Sequence, residues 1–395
     1  MDQGWAEPTR DAGLKRLRAF VPQAGRAYAE RRNYDLPGHE NVSRLSPWLR
    51  HRLVTEEEVL GAVLAEHGRD AAGKFVDEVF WRSYFKGWLE MRPTVWGAYW
   101  GELVLAWDQV QSQSGLRERW EAACRGETGI DCADHWAREL VETGYLHNHA
   151  RMWFASIWIF TLRLPWALGA DFFLRHLLDG DPASNTLSWR WVAGLQTPGK
   201  PYAATASNIA RFTEGRFRPN GLVEEVRAVS GAPNPDPGPL PEGGRIDPGK
   251  RSVLLLHEDD LSPEWLFEAG LAPVATGVVD ATGRMSILKA SERVQAFKAG
   301  ALADCVARHE ERLGEVTDGL DNREAVMAWA EGHGAEQIVT SYPPVGPVQG
   351  LLRGAGGVPI VSPVRDWDAR AWPHATKGFF KFRERIPDLL SASGF

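Results

Sequence analysis

The chain has 395 residues, is 44% hydrophobic and 25% charged, and carries a formal net charge of −7. That length exceeds one ordinary domain, and the balance of apolar and charged residues excludes a disordered or membrane-embedded chain. The acidity also runs against the basic surplus usual in nucleic-acid-binding proteins, although a local basic patch would suffice there.

The opening, Met1-Asp-Gln-Gly-Trp5, lacks a basic-then-apolar layout, so no signal peptide is expected. Cys124, Cys132 and Cys305 show no Cys-x-x-Cys spacing. They suggest neither a disulfide framework nor a cluster site, and they fit a reducing, cytoplasmic compartment. Ser46-Pro47 reads as a helix start. Residues 56–66, 133–141 and 167–178 place apolar side chains three and four apart, the period of amphipathic helices. The most apolar stretch, 152–164, is interrupted by Arg163 and is too short to span a bilayer. It reads as buried helix, and no membrane partner is expected. Asn185 reads as a helix-start or turn position.

Residues 230–244 pack Pro and Gly too densely for helix or strand. They predict a stiff linker over 230–250, between a helical domain at 1–229 and a second domain at 251–395. Beyond the linker, short apolar runs at 252–257, 274–279, 337–340 and 359–362 alternate with amphipathic helices near 290–311, 322–332 and 345–354. Strands alternating with helices predict a doubly wound parallel sheet. Charge is nearly balanced before residue 231 and acidic after it, and most of the 18 tryptophans lie before it.

Three motifs carry chemistry. Val42-Ser43-Arg44-Leu45-Ser46 offers hydroxyls and backbone N–H groups at a helix start, a natural pyrophosphate seat. Glu78-Val-Phe-Trp81-Arg82-Ser83-Tyr84 puts Glu78, Trp81 and Arg82 on one helical face. The stretch 147–194 reads His147-Asn148-His-Ala-Arg151-Met152, then Asp179-Gly-Asp181, Asn185 and Trp189-Arg-Trp191. Its carboxylates suit ring imide and ribose groups, and Arg151 is placed to meet Asp179 or an anionic ring. Two carboxylates without a third ligand make a poor metal site, so no metal is expected. His147 reads equally well as a core or hinge residue.

Together these motifs resemble the photolyase/cryptochrome family, with the likeness concentrated in residues 12–220. The resemblance implies an all-helical FAD-binding domain followed by a Rossmann-like doubly wound parallel sheet domain, with the flavin held by residues 1–220. That order is the reverse of the family's. Residues 12–37 resemble the segment entering its flavin domain, and 371–390, with Lys377-Gly-Phe-Phe-Lys-Phe-Arg383, the segment leaving its antenna domain. The chain therefore resembles a circular permutation. By the same resemblance Tyr28 and Val42 to Ser46 contact the FAD phosphates, and Arg82, Asn148 and Arg151 sit by the flavin. Asp179 and Asp181 accept from its imide and ribose groups, and Asn185 lies beside its reactive ring nitrogen. Trp189, Trp166 and Trp107 form an electron relay. Glu78, Trp81, Asn148, Met152 and Trp191 line a pocket for a flipped lesion.

The implied activity is light-driven repair of cyclobutane pyrimidine dimers in damaged DNA by a monomer. The alternative is a blue-light photoreceptor without repair, acting on a protein partner. Val42 replaces the family's Thr, and Ser83 its second Glu. The two histidines of the (6-4) branch are absent at positions 148 and 152, which disfavours that chemistry. The turn His257-Glu-Asp-Asp260 replaces a basic turn, and no Gly-x-Gly-x-x-Gly follows the first strand. Both argue against an antenna chromophore, although the sheet's carboxyl edge could still hold one.

Overall fold

Thr55 starts the longest helical run, Glu56–Glu90, with a capping box: its hydroxyl accepts from the Glu58 N–H, and the Glu58 carboxylate accepts from the Thr55 N–H. The run breaks at Gly68, where φ is +67°, a backbone region that favours glycine. Two helices therefore meet there, the first ending close to where the apolar period stops. The computed structural model describes residues 4–395; part of the signal-peptide reading falls on residues 1–3, which lie outside them. Around this run gather the helices Thr94–Ser112, Asp131–Thr143, Asn148–Ser156, Trp166–His176 and Pro182–Val192. Most of the apolar stretch 152–164 is buried helix: the Asn148–Ser156 helix continues into a π-helical turn, Ile157–Thr161, with Trp153 to Ile159 buried, while Arg163 is exposed and 162–164 is not helical. Among the described residues no helix is long and apolar enough to cross a membrane.

Two local expectations are corrected. Asn185 is no helix start; it lies inside Pro182–Val192, whose N-cap is Asp181, accepting from the Ser184 N–H at 2.8 Å. Asp takes that role because its short carboxylate reaches the unpaired N–H groups of the first turn. Ser46 does begin a helix, but Ser46–Arg50 is only five residues long and has no side-chain cap.

Residues 213–251 form no helix or strand. The Pro-rich part runs from the helical body to the sheet: Gly238 N–H donates to Met91 O at 2.8 Å, and Gly244 N–H to Ser362 O, just after the last strand, at 3.1 Å. Five strands follow: β1 (Ser252–Leu256), β2 (Pro273–Val279), β3 (Glu315–Leu320), β4 (Gln337–Val339) and β5 (Ile360–Val361). All pair in parallel in the order β3-β2-β1-β4-β5. The strand β3 has no apolar run to announce it. Its sequence, Glu-Val-Thr-Asp-Gly-Leu, sits at the sheet edge, where much of it is exposed and only β2 need be paired.

The inner strands β1, β2 and β4 are largely buried on both faces, as in a parallel sheet covered on each side. In β1, Leu254 and Leu256 join a core containing Val79, Phe80 and Trp372, while Val253 and Leu255 meet Val326, Trp329 and Leu351. One hydrophobic core thus runs from the sheet into the helical body. The segment after the sheet contributes to it. Trp367 donates from Nε1 to Ser83 Oγ at 2.8 Å, and a Cβ on Gly87 would stand 2.8 Å from Trp372 Cα. Ser83 is therefore the partner that a tryptophan from a distant segment needs. A glutamate there would meet the Trp367 ring.

Candidate functional site

A cavity of about 770 Å³ opens between the second half of the Glu56–Glu90 run, the Asn148–Ser156 helix, the 179–185 turn and residues 378–380. Glu78, Trp81 and Arg82 reach it from one helical face, and Asn148, Arg151 and Met152 from another. Ser46, Asp179, Asp181, Asn185, Trp189 and Trp191 complete the expected residues on its wall. Its size suits a folded cofactor.

The polar end is built from ion pairs. Arg151 Nη2 donates to Asp179 Oδ2 at 2.8 Å. Asp181 lies 3.1 Å from Lys86 Nζ, 3.3 Å from Arg82 Nη1 and 3.7 Å from Arg50 Nε. Burial alone would raise the Asp181 carboxyl, but these three cations hold it well below the usual carboxylate range. Glu56 behaves alike: burial opposes its charge, yet Arg52 and Arg82 pull it down to about 2. Glu78 goes the other way. Burial raises its carboxyl above the ordinary value, and its pairing with Arg32 only partly opposes that.

These residues fit FAD. Asp179 Oδ1 and Trp189 Nε1 are buried without a partner, and both residues line the cavity, so a ring with donors and acceptors would satisfy them. Asn185 is neutral and fixed, its Nδ2 donating to Ala170 O at 2.7 Å. Arg50, Arg82 and Arg151 all reach the wall, where a guanidinium fork suits phosphate and anionic ring oxygen.

Other expected residues lie off the wall. Tyr28 packs edge-on against Phe20 and Phe75. The carbonyls of Val42 and Ser43 accept from Arg16, the Ser43 hydroxyl accepts from the Leu45 N–H, and Arg44 pairs with Glu40. Of the five-residue motif, only Ser46 meets the cavity. His147 is buried and caps its helix, bonding Arg32 O and the His149 N–H, which is the core role.

The three tryptophans expected to form a relay differ in setting. Trp189 packs on Gly169 so closely that a Cβ there would stand 2.3 Å from its ring. Trp166, one turn earlier on that helix, is buried, donates from Nε1 to Glu102 Oε2 at 2.6 Å, and lies 5.8 Å from Tyr99. Trp107 is half-buried and meets Trp120 edge-on at 5.2 Å.

Sequence reading missed Arg50 and Lys86, which balance Asp181, and Phe379, whose ring stacks on Trp81 at 3.7 Å. None had a local signal, because each meets its partner across a long stretch of chain. Phe379 and Phe380 line the cavity from beyond the sheet, beside Trp81, so residues outside 1–220 contribute to its wall. His39 bridges Asp35 and Glu139 away from this cavity, a cluster compensated by Arg216.

The acidic turn after β1 bridges the two domains. Asp259 takes Arg50 at 2.5 Å and Asp260 lies 3.6 Å from Arg52, both on the helical body, while Asp260 also takes Arg365 at 2.8 Å and Glu258 takes Lys298 at 2.5 Å from the sheet domain. Its carboxylates thus form a charged seam under the cavity.

Residues 75–221 match the FAD binding domain of DNA photolyase. Over 229 residues the chain is 28% identical to the deoxyribodipyrimidine photo-lyase of Vibrio cholerae, covering 55% of this chain and 46% of that one. It is 36% identical over 203 residues to that of Thermus thermophilus, covering 50% and 45%. A class III photolyase structure from Agrobacterium tumefaciens is similar at 28% identity and a TM-score of 0.44, over 52% of this chain and 42% of that one. The chain spans about half the length of the curated relatives it matches.

Proposed function

The chain belongs to the photolyase/cryptochrome family through its FAD-binding domain, and from that we propose that it repairs cyclobutane pyrimidine dimers in DNA under light. The observation that carries this reading is a shared wall. The residues suited to a flavin, Arg151, Asp179, Asn185 and Trp189, line the same cavity as those suited to a flipped pyrimidine dimer, Glu78, Trp81, Asn148, Met152 and Trp191.

Bound reduced flavin supplies, on excitation, the electron that splits the dimer. Everything else falls to the protein. Arg151, held by Asp179, keeps positive charge beside the ring, and Asn185 adds a neutral amide that cannot deliver an acidic proton. Trp81 and Trp191 offer flat apolar faces to unstacked bases, and the Glu78 carboxyl offers a polar anchor to base edges. Apolar side chains such as Phe85, Trp88 and Ala155 keep water off the reacting pair. Trp189 and Trp166 are read as the first two hops of electron supply, with Trp107 as a third.

The reversed domain order is read as a permutation. In its favour, helix Arg10–Phe20 and the segment ending at Phe395 both lie on the first part of the Glu56–Glu90 run, through Arg10 with Glu58 and the Phe395 ring 3.2 Å from where a Cβ on Gly61 would stand. Segments that the family joins in sequence are thus neighbours in space.

The test is conversion of dimer-containing oligonucleotide by the reduced holoprotein in blue light against a dark control. Dimer loss in light alone supports repair. No loss, with flavin photoreduction intact, favours the photoreceptor alternative.

A further inference from the structure

Two of the exposed large hydrophobic residues are aromatic, Trp191 at 37% and Phe380 at 79%, and both line the same cavity. Phe380 also lines a second cleft of about 410 Å³ with Arg69, Val76, Ile386 and Leu390, so its ring is the ridge between two concavities. The ring is rigidly mounted. Its helix, Phe379–Arg383, buries Phe379 against Trp81 at 3.7 Å and Phe382 against Tyr84 at 5.7 Å. Tyr84 also donates its hydroxyl to Lys377 O at 2.9 Å. With 379 and 382 pinned inward, helical spacing turns 380 outward.

The rim carries a small basic surplus although the chain is acidic overall. Lys377, Lys381, Arg383 and Arg385 flank Phe380; Glu384, Asp77 and Asp388 pair the last three, and Lys377 is exposed. Lys200 is also exposed, two residues from the cavity-lining Pro198. Positive charge beside an apolar ring suits a sugar-phosphate backbone passing over the mouth.

We propose that Phe380 is a wedge that enters a DNA duplex and takes the stacking place of the dinucleotide rotated into the cavity. The proposal rests on reading that cavity as a lesion pocket. A base leaving the stack exposes its neighbours, and an apolar side chain inserted between them offsets the lost contact. Single-stranded DNA has no partner strand to part, so the wedge acts on duplex alone.

The test compares holoprotein of the wild type, Phe380→Ala and Phe380→Trp on an oligonucleotide carrying one thymine dimer. It is supplied single-stranded or paired with a strand bearing 2-aminopurine opposite the lesion. The alanine variant should lower the duplex-to-single-strand ratio of light-dependent repair about tenfold, the scale of one lost stacking contact. It should also remove most of the dark rise in 2-aminopurine fluorescence, and the tryptophan variant should keep both. The ring is exposed, so equal flavin content will show that the alanine variant is folded. An unchanged ratio and an unchanged rise in that variant overturn the wedge. A wild type that raises fluorescence but repairs neither form sinks the repair reading and leaves the wedge standing. No rise on bound lesion duplex sinks the wedge itself.

Discussion

Arg50 Nη1 donates to Asp259 Oδ1 at 2.5 Å, joining the helical body to the carboxyl end of β1. The same guanidinium bonds Gly180 O through Nε and stands 3.7 Å from Asp181. The cavity's anionic turn and the sheet domain thus share one buried cation. Removing one partner of such a pair strands the other, which costs roughly 3–5 kcal/mol. Arg50→Ala should therefore lower both flavin content and stability, and Asp259→Asn should lower stability first. Urea unfolding with flavin absorbance as the second readout checks this. A neutral Arg50→Ala would mean the seam carries no weight.

Asp179→Ala should reduce bound flavin, because it leaves Arg151 unpaired beside the cavity and removes the orphan acceptor Oδ1. Arg151→Ala should do the same, and the double variant should lose less than the two losses combined, as expected for partners in contact. Flavin-to-protein absorbance ratios after purification are the measurement. Strict additivity would show that the two act separately.

Gly169→Ala should disturb Trp189, since no Cβ fits 2.3 Å from its ring. Overpacking of this kind costs about 1–3 kcal/mol. Photoreduction of oxidised flavin should slow in this variant, and should be abolished or nearly so in Trp189→Phe and Trp166→Phe. Repair by chemically reduced protein should survive both Phe changes. Normal photoreduction in either Phe variant contradicts the relay.

Glu90 joins the helical run to the loop after β4, accepting from Tyr342 Oη at 2.8 Å and from the Val345 N–H at 2.7 Å. Burial pushes its carboxyl up to about 7. The folded state therefore holds a proton that the unfolded chain releases near its ordinary value. Stability should fall as pH rises from about 4.5 to about 7, by an amount on the order of 3 kcal/mol, and stay level above that. Glu90→Gln should flatten this slope. Equal slopes for wild type and variant, from urea midpoints across that range, would contradict it.

Much of the site was legible because its pieces are local. Glu78, Trp81 and Arg82 share a helical face by spacing, and the guanidinium of Arg151 does meet Asp179. The strands β1, β2, β4 and β5 announced themselves as apolar runs, whereas β3 is a polar edge strand. Asp181 was read as an acceptor for the cofactor, and it also caps a helix and sits among Arg50, Arg82 and Lys86. That nest, the Trp81–Phe379 stack and the fit of Ser83 to Trp367 depend on residues far apart in sequence, which no local pattern encodes.

The central claim is that one cavity holds both a flavin and a flipped dimer, and Glu78→Ala divides the two. Its carboxyl lines the cavity and pairs with Arg32, apart from the Arg151–Asp179 pair. Light-dependent dimer repair by reduced holoprotein should fall in this variant while flavin content stays at the wild-type level. Affinity for dimer-containing DNA should drop more than affinity for undamaged DNA, which rests on phosphate contacts. A wild type that shows no light-dependent repair and binds damaged and undamaged DNA alike would contradict the account.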